Sequence, residues 1–256
     1  MSDYRNLMLL SDLTWKEAKA VFEEGVTVVV PTGSNEQHGP HMPVNCDSFY
    51  VTKVTDMVVQ RLKSEMLIYK TPTIWTGYSP HHREFPGTIT INLPTFLSLI
   101  YDVCESLVRH NVRRIFLING HGGNEVSLRA VASQIGNELD HSPIVLNYWD
   151  VINNEWNSYI KDLPGVGHAG EVETSFRKYL APETIREDEL ERAEFVTEDP
   201  HPLTVDSYEF RRFCEVNQKG YTGNPKWGTR EKGEKMINRI VDLLSNVIRE
   251  DHNKKK

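Results

Sequence analysis

Short β-branched and apolar runs that alternate with amphipathic helical segments constrain this chain more than any other feature. Val26 to Pro31, Leu67 to Ile74, Arg114 to Ile118 and Pro143 to Tyr148 each have the length and composition of a buried strand. Before and between them lie segments with helical spacing. These are Trp15 to Glu24, Asp47 to Leu62, a run with Phe96, Leu99, Ile100, Val103 and Leu107 after a Thr95 cap, and a run carrying Val126, Val131 and Ile135 on one side. The alternation predicts an α/β fold in which a central, mostly parallel sheet is flanked by helices on both faces. Further helices are expected at Glu171 to Leu180 and at Glu231 to Arg249, the latter with Ile237, Ile240, Val241, Leu244 and Ile248 on one face. The stretch 196–228, rich in Pro, Gly and aromatics, has no clear period and is expected to be ordered but irregular. No repeat or linker breaks the 256 residues, so a single domain over 1–256 is expected.

Composition excludes several classes of function. A net charge of -7, with Lys254, Lys255 and Lys256 as the only dense basic run, leaves no electrostatic footprint for nucleic acid. The first residues carry Asp3 and Asp12 around a short apolar stretch, neither a basic leader nor a membrane span, so a cytoplasmic protein is expected. Cys46, Cys104 and Cys214 are odd in number and widely spaced, which argues against a disulfide framework and against a thiolate zinc site.

The chemistry lies where the apolar runs end. In parallel sheets ligands sit outside the carboxyl ends of the strands, and two glycine-rich polar segments, Gly33 to Pro40 and Asn119 to Asn124, fall there. Glu36 and His38 point the same way if the segment is extended, and Asp47 follows closely. Carboxylate and imidazole together suit zinc, manganese or iron, although Glu-x-His alone is more often a polar loop after a strand. His121 sits among Gly120, Gly122 and Gly123, where metal ligation and a phosphate-binding helix start are equally good readings. A third segment, Gly167 to Ser175, concentrates His168, Glu171 and Glu173 at a helix entry, where an acid commonly just complements the helix dipole. Three clusters of His and carboxylate at the edges of separate elements are better explained by convergence on one site. The segment from Gly77 to Ile89 follows a strand and is expected to line the same cleft, with His41, His81, His82, Tyr78 and Trp149 as weaker candidates.

Taken together, these segments resemble the creatininase family of amidohydrolases. The resemblance rests on Pro31-Thr-Gly-Ser-Asn-Glu-Gln-His-Gly-Pro-His41 through Asp47, on Phe85-Pro-Gly-Thr88, on Asn119-Gly-His-Gly-Gly-Asn124 and on His168-Ala-Gly-Glu-Val-Glu-Thr-Ser175. Gly223-Asn-Pro and Glu231-Lys-Gly-Glu234 extend it over nearly the whole chain. It implies a homohexamer with two divalent metal ions per chain (Zn, Mn or Fe) and a small-molecule substrate. By position, Glu36 and His121 would hold one metal and His38 the other, Asp47 would bridge both, and His168 would stand near the scissile bond. Creatininase has an acidic ligand two residues after the histidine matched by His121, where this chain has Gly123. Glu171 is expected to complete the second metal site in its place, and Glu173 less so, because creatininase also has a glutamate at the latter position.

The reaction so implied is hydrolysis of a non-peptide C–N bond, in a cyclic amide or formamide, by a metal-bridging hydroxide, with His168 protonating the leaving nitrogen. Tyr78, Ser79, His81 and Trp149 are expected to surround the substrate. Two alternatives stand beside this reading: hydrolysis of a keto-sugar or lactone bond, and a non-catalytic protein that binds a phosphorylated ligand.

Overall fold

The computed structural model describes residues 4–161, 165–197 and 209–254. Four strands, β1 (Thr27–Thr32), β2 (Ile68–Lys70), β3 (Arg114–Asn119) and β4 (Ile144–Asn147), form one parallel sheet in the order β2-β1-β3-β4. The expected α/β sheet is present, with β2 shorter than its apolar run. Among the described residues eight α-helices accompany it: α1 (Trp15–Glu23), α2 (Cys46–Leu62), α3 (Leu93–Arg109), α4 (Glu125–Leu139), α5 (Glu171–Leu180), α6 (Glu187–Glu191), α7 (Phe213–Val216) and α8 (Arg230–Lys254).

Helices cover both faces, and the period of two along the strands decides which residue meets which layer. Val28 and Val30 of β1, with Ile115 and Leu117 of β3, pack against Phe22, Phe96, Ile100, Leu128 and Val131 from α1, α3 and α4. Val29, Phe116 and Ile118 face the other way, into Val51, Val54, Phe176, Ile237 and Ile240 from α2, α5 and α8. Each fully buried aliphatic chain contributes roughly 1.5–3 kcal/mol, so both layers are held by many small terms.

Local details differ from expectation in two helices. α3 begins at Leu93, after Asn92, because Pro94 presets its first turn, so Thr95 lies inside the helix and not at its cap. On α4 the buried stripe is Leu128, Val131 and Ile135, whereas Val126 is 78% exposed. The stretch 196–228 is largely irregular where described, with α7 and a short turn of helix at Pro225–Trp227. Residues 198–208, and Lys255 and Lys256 of the basic run, lie outside the described residues. Among the described residues no helix is long and apolar enough to cross a membrane.

The sheet order places a switch point between β1 and β3, where the connections depart in opposite directions and a crevice opens at the carboxyl edge. At that edge Thr32, Asn119 and Asn147 stand in register. Asn119 Nδ2 donates to Asn147 Oδ1 at 2.9 Å and to the carbonyl of His121 at 2.7 Å, and its Oδ1 accepts from the His121 N–H at 3.1 Å. One asparagine thus fixes the turn that carries His121.

Candidate metal centre

The loops leaving β1 and β3 bring Glu36, His38, Asp47 and His121 into one buried cluster, each no more than 4% exposed. Asp47, in the first turn of α2, stands between the two histidines: Oδ1 is 3.2 Å from His38 Nε2 and Oδ2 is 3.1 Å from His121 Nδ1. Glu36 Oε1 is 3.2 Å from His121 Nδ1. Hydrogen bonds behind the rings set which nitrogen faces inward. His38 Nδ1 donates to the Glu36 carbonyl at 3.1 Å, leaving Nε2 for the cluster. His121 Nε2 meets Ser79 Oγ at 3.1 Å, Ser79 bonds Ser34, and Ser34 donates to Glu36 Oε2 at 3.1 Å.

Glu173 is the acid of the third segment that joins them. Its Oε1 lies 3.5 Å from His38 Nε2, and its Oε2 accepts from the Ala169 N–H at 2.6 Å. Ala169 holds a left-handed backbone (φ 53°), an uncommon conformation for a residue with a Cβ, and so turns the chain between His168 and α5. His38, Asp47 and Glu173 offer ligand atoms all within 4.8 Å of one another, as do Glu36, His81 and His121.

The structure turns Glu171 away from this cluster. Two residues apart in a helical turn are about 200° apart around the axis, so Glu171 and Glu173 face opposite sides. Glu171 Oε2 accepts from the Lys161 N–H at 2.8 Å, and Oε1 pairs with the Lys232 ammonium of α8. It ties the approach to His168 onto α8. Glu171→Ala is therefore expected to lower stability by about 2–3 kcal/mol, below the usual cost of breaking a fully buried pair because Lys232 keeps some solvent, with metal content unchanged. Thermal unfolding beside elemental analysis checks it.

Electrostatics favour a cation in the cluster. Burial opposes the charge on Glu36, but His121, His82 and His168 around it outweigh that and hold its carboxyl well below the usual range. Burial likewise opposes protonation of His121, yet Glu36 and Asp47 push it up to about 10. His38 is also raised, against its burial, by Cys46, Glu173 and Asp47. Carboxylates thus gather positive charge onto two imidazoles that a divalent ion would deprotonate and replace. Among the described residues, His38 Nε2 and Asp47 Oδ2 are buried and have ion-pair neighbours but no aligned hydrogen bond, as expected of donor atoms aimed at a metal. The donor set and its charges fit divalent metal.

Beside the cluster opens a cavity of about 600 Å³ whose walls include Tyr78, His81, Trp149, His168 and Phe213. Of the residues expected to meet substrate, Tyr78, His81 and Trp149 line it. Ser79 does not, being fully buried behind His121. His41 is buried elsewhere, against Thr174. His168 joins the rim: its Nδ1 is 3.9 Å from Glu36 Oε1, its main chain exchanges hydrogen bonds with Thr222, and burial with the nearby His38 pushes its pKa well down. A Cβ at Gly123 would collide with the His121 ring and the Tyr78 carbonyl, so the 77–82 loop has taken the space an acid would need there. Sequence reasoning ranked Glu173 second and left His82 among the weak candidates. It passed over Gln37 although it lies inside the first motif, and nothing in the aperiodic 196–228 stretch pointed to Phe213.

The creatinine amidohydrolase family model matches residues 11–248. The chain belongs to the creatininase family. It is 29% identical to the creatinine amidohydrolase of Pseudomonas putida, covering 95% of this chain and 97% of that protein. It is 27% identical to the mycofactocin precursor peptide peptidase of Mycobacterium tuberculosis, covering 94% and 92%. It is 25% identical to the 3-dehydro-scyllo-inosose hydrolase of Thermotoga maritima, covering 93% and 81%. Among solved structures, creatininase superposes with a TM-score of 0.83 at 27% identity, covering 95% of this chain and 97% of that one, and its manganese form with 0.77 at 27%, covering 95% and 98%. As a creatininase-family protein with this donor set, the chain is a metal-dependent amidohydrolase.

Proposed function

We propose that this chain hydrolyses a formamide or a cyclic amide at a centre of two divalent ions, one held by Glu36, His121 and Asp47 and the other by His38, Asp47 and Glu173. The observation that carries the reading is Asp47, whose two oxygens each approach a different inward-facing imidazole. Bound there, divalent ions would polarise a carbonyl oxygen and lower the pKa of water to about 7. The protein's own groups do the rest. His168 Nδ1, facing Glu36, delivers a proton to the leaving nitrogen as the C–N bond breaks, so that water's hydroxyl ends on the carbonyl carbon and its proton on the amine. Tyr78, His81 and Trp149 present flat walls to a small planar substrate. Among the described residues five carboxylates, Glu36, Asp47, Glu125, Glu173 and Glu209, line the cavity against one guanidinium, that of Arg211, which disfavours the phosphorylated ligand of the binding-protein alternative.

The same proposal includes zinc, manganese or iron as the metal, a homohexamer, a cytoplasmic setting and one domain over 1–256. Metal analysis tests its core. The parent is expected to hold two ions per chain and Glu173→Ala about one, with activity lost on chelation and regained with zinc or manganese. Full activity in protein verified to be metal-free would overturn it. A product screen over creatinine, 4-nitroformanilide and cyclic keto-sugars identifies the bond, with release of formate or of a ring-opened acid expected. Products from the keto-sugars alone would move the reading to the keto-sugar alternative.

A further inference from the structure

Gln37 lies between two of the proposed metal ligands and is itself turned the other way, buried at 6% exposure. Its carboxamide has a fixed sense. Oε1 lies 2.9 Å from the Gly39 N–H, a group that can only donate, so Oε1 is the acceptor end and Nε2 the donor end. Nε2 has two hydrogens and two imidazole neighbours: His82 Nδ1 at 3.0 Å and His168 Nε2 at 2.9 Å. The carbonyl oxygen of the same residue is also 2.9 Å from His168 Nε2.

We infer that Gln37 is a positioning residue for the hydrolysis: its carboxamide, pinned by Gly39, holds the rings of His82 and His168 side by side so that His168 presents Nδ1, and not Nε2, to the reacting centre. The two rings are stacked at 4.4 Å between centroids and 25° between planes. Accepting from Gln37 at Nδ1 places the proton of His82 on Nε2, which faces Glu36 Oε1 at 3.4 Å. On His168 the side-chain amide and the main-chain carbonyl of Gln37 both address Nε2, one as donor and one as acceptor. That nitrogen has a partner with or without its proton, so the ring has no cause to turn, and Nδ1 stays 3.9 Å from Glu36 Oε1. Phe213 closes the remaining side, its centroid 4.8 Å from His168 and 4.7 Å from His82.

This inference rests on His168 being the proton donor of the proposed reaction, and the experiment separates the two. Gln37→Met fills the space without hydrogen bonds. Gln37→Glu keeps the acceptor for Gly39 and loses the amide donor. In metal-loaded enzyme assayed on 4-nitroformanilide and creatinine, both variants are expected to keep two metals and KM within about 3-fold of the parent. Turnover should fall about 10- to 100-fold, the range for groups that orient a reacting side chain. In a His168→Ala background Gln37→Met should cost nothing further, since residues acting as a unit are non-additive. Full turnover by Gln37→Glu, or additive losses in the double variant, would overturn the role of the amide. A fully active His168→Ala would overturn the assignment of His168, and the inference with it. A crystal structure of metal-loaded Gln37→Met decides the matter without any substrate: a turned or doubly placed His168 ring supports it, and an unmoved ring overturns it.

Discussion

Asp47→Ala is expected to abolish activity, with turnover down at least about 10⁴-fold and both metals lost or bound only weakly. The size follows from what a divalent ion contributes, a bound water that gives up its proton near neutral pH where bulk water does not. Asp47 stands in both halves of the cluster, with His38 on one oxygen and His121 on the other. Its removal leaves each proposed site with two protein ligands, fewer than the three that catalytic sites usually keep. The fold should survive, because α2 is anchored by Tyr50, Val51, Val54 and Val58 of the hydrophobic layer beneath it. Elemental analysis, circular dichroism and turnover measured on one preparation check all three statements. An Asp47→Ala protein that kept two tightly bound metals would show that the bridge lies elsewhere.

The second large effect is expected at His168. His168→Ala should reduce turnover about 100- to 10⁴-fold, the range for a positioned general acid or base, while metal content stays at that of the parent. Its Nε2 is engaged by Gln37, and its main chain is held by Thr222 through both the N–H and the carbonyl. Burial and the neighbouring His38 disfavour a resting imidazolium, so a proton taken up at Nδ1 is readily passed on to a leaving nitrogen. A substrate with a good leaving group needs that proton least. The loss should accordingly be smaller for 4-nitroformanilide than for formanilide, and an equal loss on both would remove His168 from the leaving-group step. If metal were lost in parallel with turnover, His168 would be a ligand, a role its place beside Glu36 and His38 also permits.

Gly123 stands where the resemblance to creatininase leads one to expect an acid, and the consequence spreads beyond that position. The ring of His81 stacks over His121 at 5.5 Å and 8°, in the space next to Gly123. An acid cannot simply be placed there, and the acid that faces His38 in the cluster is Glu173 from α5. Glu173 couples the second proposed metal site to the helix that follows His168, so that the proposed acid ligand and the proposed proton donor lie on one short segment anchored by Ala169 and Thr222.

Much of this molecule is legible in its residues alone. The continuous apolar runs Val28 to Val30 and Ile115 to Ile118, set against helical stripes such as Ile237 to Ile248, pointed to a covered parallel sheet, because strands apolar on both sides must be covered on both faces. The motifs around Glu36, His38, Asp47 and His121 were equally readable, since each follows a strand and strand ends share one edge. What the tertiary structure alone decided was direction. Glu171 and Glu173 are two letters apart and chemically alike, and only the placement of α5 between α2 and α8 sends one to the cluster and the other to Lys232. Ser79 became a support for His121 and not a wall of the cavity, and Gln37 became a partner of two histidines 45 and 131 residues away. Phe213 came from a stretch without periodicity. Such roles depend on which face of a turn meets which neighbour, a matter of long-range packing that no local pattern encodes.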